Sequence, residues 1–120
     1  MVDAINEPSY SSAGAWRLGR PSGSPYEKEH WHQWLRKKYN DDLSALRRSW
    51  RRTDAEISSF AECELPDKTL FEREYNRTYG DYPVYTSVND FFAFARESFN
   101  QWLDGIYHAV KDIAPDMIFM

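Results

Sequence analysis

The sequence holds one cysteine, Cys63, in 120 residues. A disulfide framework within the chain is thereby excluded, and so is a zinc site built from several cysteines. Cys63 reads as a small buried or half-buried side chain. Long apolar runs are also missing. No stretch approaches the ~20 residues that a membrane-spanning helix needs, and the first residues lack the basic start and apolar core of a secretory signal. The expectation from those two absences is a soluble, unexported chain, cytoplasmic by default. Basic charge is in deficit, with 15 Lys and Arg against 19 Asp and Glu, which argues against wholesale binding of a polyanion. No internal repeat or low-complexity tract interrupts the chain.

What is there suits one domain's worth of material. Hydrophobic residues make up 42% and charged ones 28%, too apolar for a disordered composition, although the mean hydropathy of -0.76 is polar for a compact chain. Aromatics reach 17%, with five Trp, eight Tyr and seven Phe. Such density supplies core volume, and it is also what sugar-binding and base-stacking surfaces are made of.

Residues 1–8, Met-Val-Asp-Ala-Ile-Asn-Glu-Pro, are short, apolar and stopped by proline, as at the end of a strand. Residues 9–25 carry Ser, Gly and Pro repeatedly and read as a long loop, of a length that compact domains keep for a task such as covering a binding site. From Pro25 to Tyr39, Trp31, Trp34, Leu35 and Tyr39 recur at helical spacing. Asp41 or Asp42 can cap a second, shorter helix that carries Leu43, Leu46 and Trp50 on one face. A third helical stretch is expected near Glu56 to Cys63 and a further turn from Phe71 to Tyr75. Leu65-Pro66-Asp67 separates those two, and Gly80-Asp81-Tyr82-Pro83 forms a turn. The longest element runs from about Asn89 or Asp90 to Ile113, with Phe92, Ala95, Phe99, Trp102, Leu103, Ile106, Val110 and Ile113 as one stripe. After it, Met117-Ile118-Phe119-Met120 reads as the start of a buried strand. Strand end, loop with inserted helices, long helix and strand start make a βαβ crossover whose strands need neighbours, so the chain reads as a slice of a larger α/β domain.

Asn6-Glu7-Pro8 is the first candidate for chemistry. A carboxyl group at the end of a parallel strand points into the crevice where α/β barrels hold their active sites, and the neighbouring Asn can donate to a substrate hydroxyl; the tripeptide can equally be a plain turn. At a strand end followed by loop, helix and strand, it resembles the fourth strand of the (β/α)8 barrel in the clan A retaining glycoside hydrolases. The resemblance implies that Glu7 is the acid/base and that Asn6 contacts the sugar's 2-hydroxyl. A second likeness lies in Trp31-His32-Gln33-Trp34-Leu35-Arg36-Lys37-Lys38-Tyr39 followed by Asp42-Leu43-Ser44-Ala45-Leu46-Arg47-Arg48-Ser49-Trp50. It resembles the helical pair inserted after the acid/base strand in family 42 β-galactosidases. Together the two cover about residues 4 to 52. The terminal helix and strand agree in type only, and residues 53–86 match no pattern.

The resemblance implies an α/β fold, a slice of a (β/α)8 TIM barrel from the end of strand 4 to the start of strand 5, largely helical as an isolated chain. Residues 1–8 are then the strand end, 9–25 the active-site loop, 26–86 the helical insertion, 87–114 the barrel helix and 115–120 the next strand start. It implies a glycosidase for a β-galactoside-like substrate, with the carbohydrate and the remainder of the barrel as partners, no nucleic acid or membrane, and an oligomer compatible with the full-length protein. Tyr10, Trp16 and Tyr26 border the loop, where aromatic faces can stack on sugar rings or simply pack it. No cofactor is implied. Some family members bind zinc through several cysteines, which Cys63 alone cannot supply, so no metal ligand is assigned. His30 and His32 stand two apart on a helix and do not form an i, i+4 metal pair. His108 reads as a surface or boundary residue.

A retaining mechanism needs two carboxyl groups ~5–5.5 Å apart. The resemblance puts the nucleophile at the end of a seventh strand, and none of Glu62, Glu64, Glu72 or Glu74 lies at a strand end. The isolated chain is therefore expected to be inactive, and its long helix to expose a wide apolar stripe. A second reading is a small helical interaction module with Arg47, Arg48, Arg51 and Arg52 as a partner-binding face.

Overall fold

A computed structural model describes residues 23–67, 69–71, 73–74 and 84–118. The expected strand end at 1–8 and most of the loop at 9–25 lie outside them, as do Asn6, Glu7, Tyr10 and Trp16. Three α-helices organise the described part: α1 (Pro25–Lys38), α2 (Leu43–Trp50) and α3 (Ser87–Ile113).

Local sequence explains where each begins. Ser24 Oγ accepts from the Glu27 amide at 3.2 Å, the Glu27 carboxylate returns a bond to the Gly23 amide at 2.8 Å, and Pro25 fills the first turn of α1. These contacts satisfy amide groups that a helix start leaves unpaired. The helix ends where Asn40 and Asp41 turn left-handed at φ 51° and 57°, a conformation their short polar side chains tolerate. Asp42 Oδ1 then caps α2 through the Ala45 amide at 3.0 Å. Thr86 caps α3, and Asn89 Oδ1 bonds the Thr86 amide at 2.7 Å in a reciprocal box.

The helix expected near 56–63 is reduced to a 3-10 turn at Phe60–Glu62. Two carboxylates explain this. Glu56 folds back onto the Thr53 amide at 2.7 Å and its hydroxyl at 2.9 Å, and Glu62 onto the Ser58 amide at 2.7 Å and hydroxyl at 2.6 Å. Such bonds offer the backbone an alternative to the helical ladder. They also hold both carboxyls below their usual range, through the Thr53 amide first for Glu56 and the Ser58 hydroxyl first for Glu62. Residues 69–71 and 73–74 are helical, which agrees with the turn expected from Phe71.

The core is aromatic. Trp31 lies between Trp34, 5.7 Å away at 9°, and Trp50, 6.2 Å away at 15°, while Phe91 and Phe94 of α3 meet it edge-on. Leu35, Leu46, Ile57, Phe60, Cys63, Leu65, Phe71, Val88 and Ala95 complete the cluster. The stripe expected on α3 is corrected in phase: the structure buries Val88, Phe91 and Phe94 along with Ala95 and leaves Phe92 partly buried. Beyond Ala95 the helix has no buried residue. Trp102 is 52% and Ile113 88% exposed, while Phe99, Leu103, Ile106 and Val110 are half-buried, so the expected stripe is exposed in part.

The strand expected at 115–120 is also corrected for its described residues. Met117 and Ile118 are irregular, because a strand's backbone groups need a neighbour and these are held locally. The Met117 amide donates to Ala114 at 3.0 Å, and Lys111 Nζ donates to the carbonyls of Pro115 and Met117 at 2.8 and 2.7 Å. Among the described residues the fold is therefore largely helical, without a strand.

Candidate functional site

The most concentrated polar chemistry in the described residues surrounds Asp90, whose side chain is fully buried in the first turn of α3. Its Oδ2 accepts from Tyr39 Oη at 2.6 Å and from Trp50 Nε1 at 2.7 Å. Its Oδ1 accepts from Lys38 Nζ and Tyr85 Oη. Four donors from the end of α1, the end of α2 and the segment before α3 thus converge on one carboxylate. Since a carboxylate has about four lone-pair positions, Asp90 has no vacant position for a substrate proton. It fixes the geometry of three elements. Burial, followed by the hydrogen bond to Asp90, pushes the Tyr39 and Tyr85 phenols well above their ordinary value of 10.0, so both remain donors.

A second buried carboxylate, Glu74, accepts from Arg52 Nη2 at 2.7 Å and from Ser87 Oγ at 3.2 Å. Beside it a cleft of about 310 Å³ is bordered by Arg52, Glu56, Glu62, Cys63 and Arg73. Burial pushes the Cys63 thiol up to about 12, which leaves it protonated and unreactive at neutral pH. Elsewhere, Trp34 Nε1 donates to Glu97 Oε2 at 2.6 Å, and the two border a cleft of about 440 Å³ with Lys37, Lys38, Ala93 and Arg96.

Among the described residues no group of three or more His, Cys, Asp or Glu side chains is arranged to hold a metal ion, and no helix is long and apolar enough to cross a membrane. Of the residues singled out in the sequence, Asn6, Glu7, Tyr10 and Trp16 fall outside the described set. Tyr26 is 85% exposed. His32 Nε2 and Trp31 Nε1 share the Cys63 carbonyl, at 3.2 and 2.9 Å. His108 is exposed beside Asp104. The arginines of α2 and its end are largely engaged within the chain: Arg47 with Asp54 and the Ile57 carbonyl, Arg48 with Asp42, and Arg52 with Glu56 and Glu74. Sequence reasoning missed Asp90 and Glu74 as organising centres. Asp90 read as a possible start of the last helix, and nothing local marks the donors that reach it from 5 to 52 positions away.

Comparison with known proteins gives one match. The model of the glycoside hydrolase family 42, beta-galactosidase, aligns with residues 19–120. That span includes residues 53–86, where no motif was legible. Neither the search of curated proteins nor the search of solved structures returned a match. The helical pair, the long helix and a match over most of the length lead to one conclusion: the chain belongs to family 42 of the glycoside hydrolases, the beta-galactosidase family.

Proposed function

We propose that the chain contributes the acid/base carboxylate, Glu7, to a retaining glycosidase that cleaves a β-galactoside-like O-glycosidic bond. The family match over residues 19–120 carries this reading. Residues 6–8 stand just before the matched stretch, in the order expected when an acid/base strand precedes the inserted helical pair. In this reading residues 1–8 end strand 4 of a (β/α)8 barrel, α3 is the helix that follows it, and residues 115–120 lead into strand 5. Protonated Glu7 donates to the leaving oxygen and, once ionised, draws the proton from water. Asn6 holds the sugar's 2-hydroxyl, and Tyr10 and Trp16 provide apolar faces against the ring.

The second carboxylate comes from elsewhere in the barrel. In support of this, the buried acids of the described part are already engaged: Asp90 with four donors and Glu74 with Arg52 and Ser87. The chain alone is therefore inactive. The pure 120-residue chain is expected to show no turnover of an aryl β-galactoside, and Glu7-dependent hydrolysis by it would refute the missing-nucleophile reading. Spliced into a complete family 42 barrel at the corresponding place, the segment should support turnover that Glu7→Gln lowers by about 10²–10⁴. Unchanged turnover in that variant removes Glu7 from the mechanism.

The alternative, an Arg-rich interaction module, is weakened by the internal pairing of Arg47, Arg48 and Arg52.

A further inference from the structure

Basic side chains among the described residues are mostly paired. Arg36 meets Asp41, Lys38 meets Asp90, Arg47 meets Asp54, Arg48 meets Asp42, and Arg52 and Arg73 meet Glu74. In a chain with more acids than bases, pairing is the default. Lys28, Lys37, Arg51, Arg96 and Lys111 have no carboxylate partner among the described residues, and of these Lys37 and Arg96 come together, both bordering the cleft of about 440 Å³ between the end of α1 and α3. Lys38 borders it too, its charge shared with Asp90. The single acid there, Glu97, is tied to the Trp34 indole N–H at 2.6 Å. The cleft thus keeps a local surplus of positive charge.

Its aromatic wall is not open for stacking. One face of Trp34 lies against Trp31 at 9°, and Lys38 Nζ stands over the ring at 5.2 Å from the centroid. Recognition here rests on charge. A guanidinium grips an oxyanion through two parallel N–H bonds, and an ammonium adds a point charge. The volume falls within the range of small-ligand sites, about 300–1,000 Å³, enough for a sugar ring to accompany the anion.

We propose that the Lys37–Arg96 cleft binds a sugar-borne oxyanion, a sulfate ester or carboxylate on a carbohydrate, at a site separate from Asn6 and Glu7. The assignment of a sugar as carrier rests on the carbohydrate reading above; the oxyanion chemistry rests on the cleft.

The test is a calorimetric titration of the full chain at low salt with galactose 6-sulfate, inorganic sulfate and galactose. Galactose 6-sulfate should bind more tightly than inorganic sulfate. The double variant K37Q/R96Q, both positions exposed, should weaken it about tenfold or more, as loss of charge-assisted bonds does. K28Q/R51Q removes the same charge elsewhere on the exposed surface and should leave it unchanged. Circular dichroism checks that each variant remains folded. Equal affinity for inorganic sulfate overturns the sugar assignment. No binding of either anion, or equal losses in both double variants, overturns the site. Glu7→Gln separates the two readings, because it should lower turnover in the complete barrel by the factor given above and leave anion binding intact. Failure of the first result alone counts against Glu7, and failure of the second alone counts against a separate cleft.

Discussion

Replacing Asp90 by asparagine preserves the outline of the side chain and removes its charge. The remaining carbonyl oxygen can still accept from Tyr39 and Trp50, which share one carboxylate oxygen at 2.6 and 2.7 Å. The other oxygen becomes an NH2 group that points donors at Lys38 and Tyr85. Tyr85 can turn its hydroxyl to accept. Lys38 cannot, and it must leave for solvent, which its side chain, 32% exposed, already reaches. The expected loss is one charge-assisted hydrogen bond plus a strained amide, about 2–3 kcal/mol. That is below the 3–5 kcal/mol typical of breaking a fully buried pair, because Lys38 rehydrates. Asp90→Ala also orphans the buried Trp50 N–H and should cost about 1–3 kcal/mol more. Urea unfolding followed by far-ultraviolet dichroism measures both. A cycle with Lys38→Met should give a coupling of about 1–2 kcal/mol. Stability of Asp90→Asn within about 0.5 kcal/mol of the parent, the range of an ordinary surface change, would refute the idea that this carboxylate holds the three segments together. Strict additivity with Lys38→Met would refute the ion-pair part of it.

Other consequences can be checked the same way. Burial raises the Cys63 thiol from 9.0 to about 12 and the Tyr39 and Tyr85 phenols above 10.0, so the folded chain holds protons that the unfolded chain releases. Stability from these groups is therefore fully present below about pH 9 and falls as pH rises beyond it; a urea midpoint that stays flat or climbs between pH 9 and 10.5 contradicts this. Cys63 should resist a disulfide reagent at pH 8 until denaturant is added, and equal labelling rates in both states would count against its burial. Ser98 Oγ is buried without a hydrogen-bond partner among the described residues, so Ser98→Ala should stabilise by about 1 kcal/mol and raise Tm by about 4–8 °C; a lower Tm would mean the hydroxyl has a role. Trp102→Gln with Ile113→Gln should change stability by less than about 1 kcal/mol, since both side chains are already exposed, while reducing retention on a hydrophobic column. Unchanged retention would show that the α3 stripe is covered in solution.

The three helices were legible because their signals are local. Pro25 and Asp42 are start signals beside the apolar spacing of α1 and α2, whereas α3 was read from its stripe and begins at Ser87, two or three residues before the expected Asn89 or Asp90. Residues 53–63 were misread because Ile57, Phe60 and Cys63 stand at the i, i+3 spacing of a helix, while the Glu56 and Glu62 carboxylates fold back onto Thr53 and Ser58 and interrupt the helical ladder. The α3 stripe was read one phase away because Phe91, Phe92 and Phe94 are equally apolar, and only the position of Trp31 selects which ones turn inward. Asp90 was invisible as a hub for the same reason: its donors come from separate elements. Lys37 and Lys38 are alike in sequence, basic residues in the last turn of a helix, yet one is paired with Asp90 and the other has no carboxylate partner among the described residues. The family was legible as a resemblance, carried by Asn6-Glu7-Pro8 and the stretch from Trp31 to Trp50, and the family match shows it over residues 19–120.

The near-parallel indoles of Trp31, Trp34 and Trp50 make the molecule its own optical gauge. Planes 9° and 15° apart at 5.7 and 6.2 Å bring the transition dipoles close enough to share excitation. The Trp31–Trp50 pair should therefore contribute a split near-ultraviolet dichroism band that exists only while α1 and α2 are docked. Trp102, half exposed on the outer length of α3, belongs to a different optical population, open to acrylamide quenching while the stack is shielded. Loss of the split band before any change in quenching at Trp102 would mark the moment when the aromatic core separates and the long helix survives it.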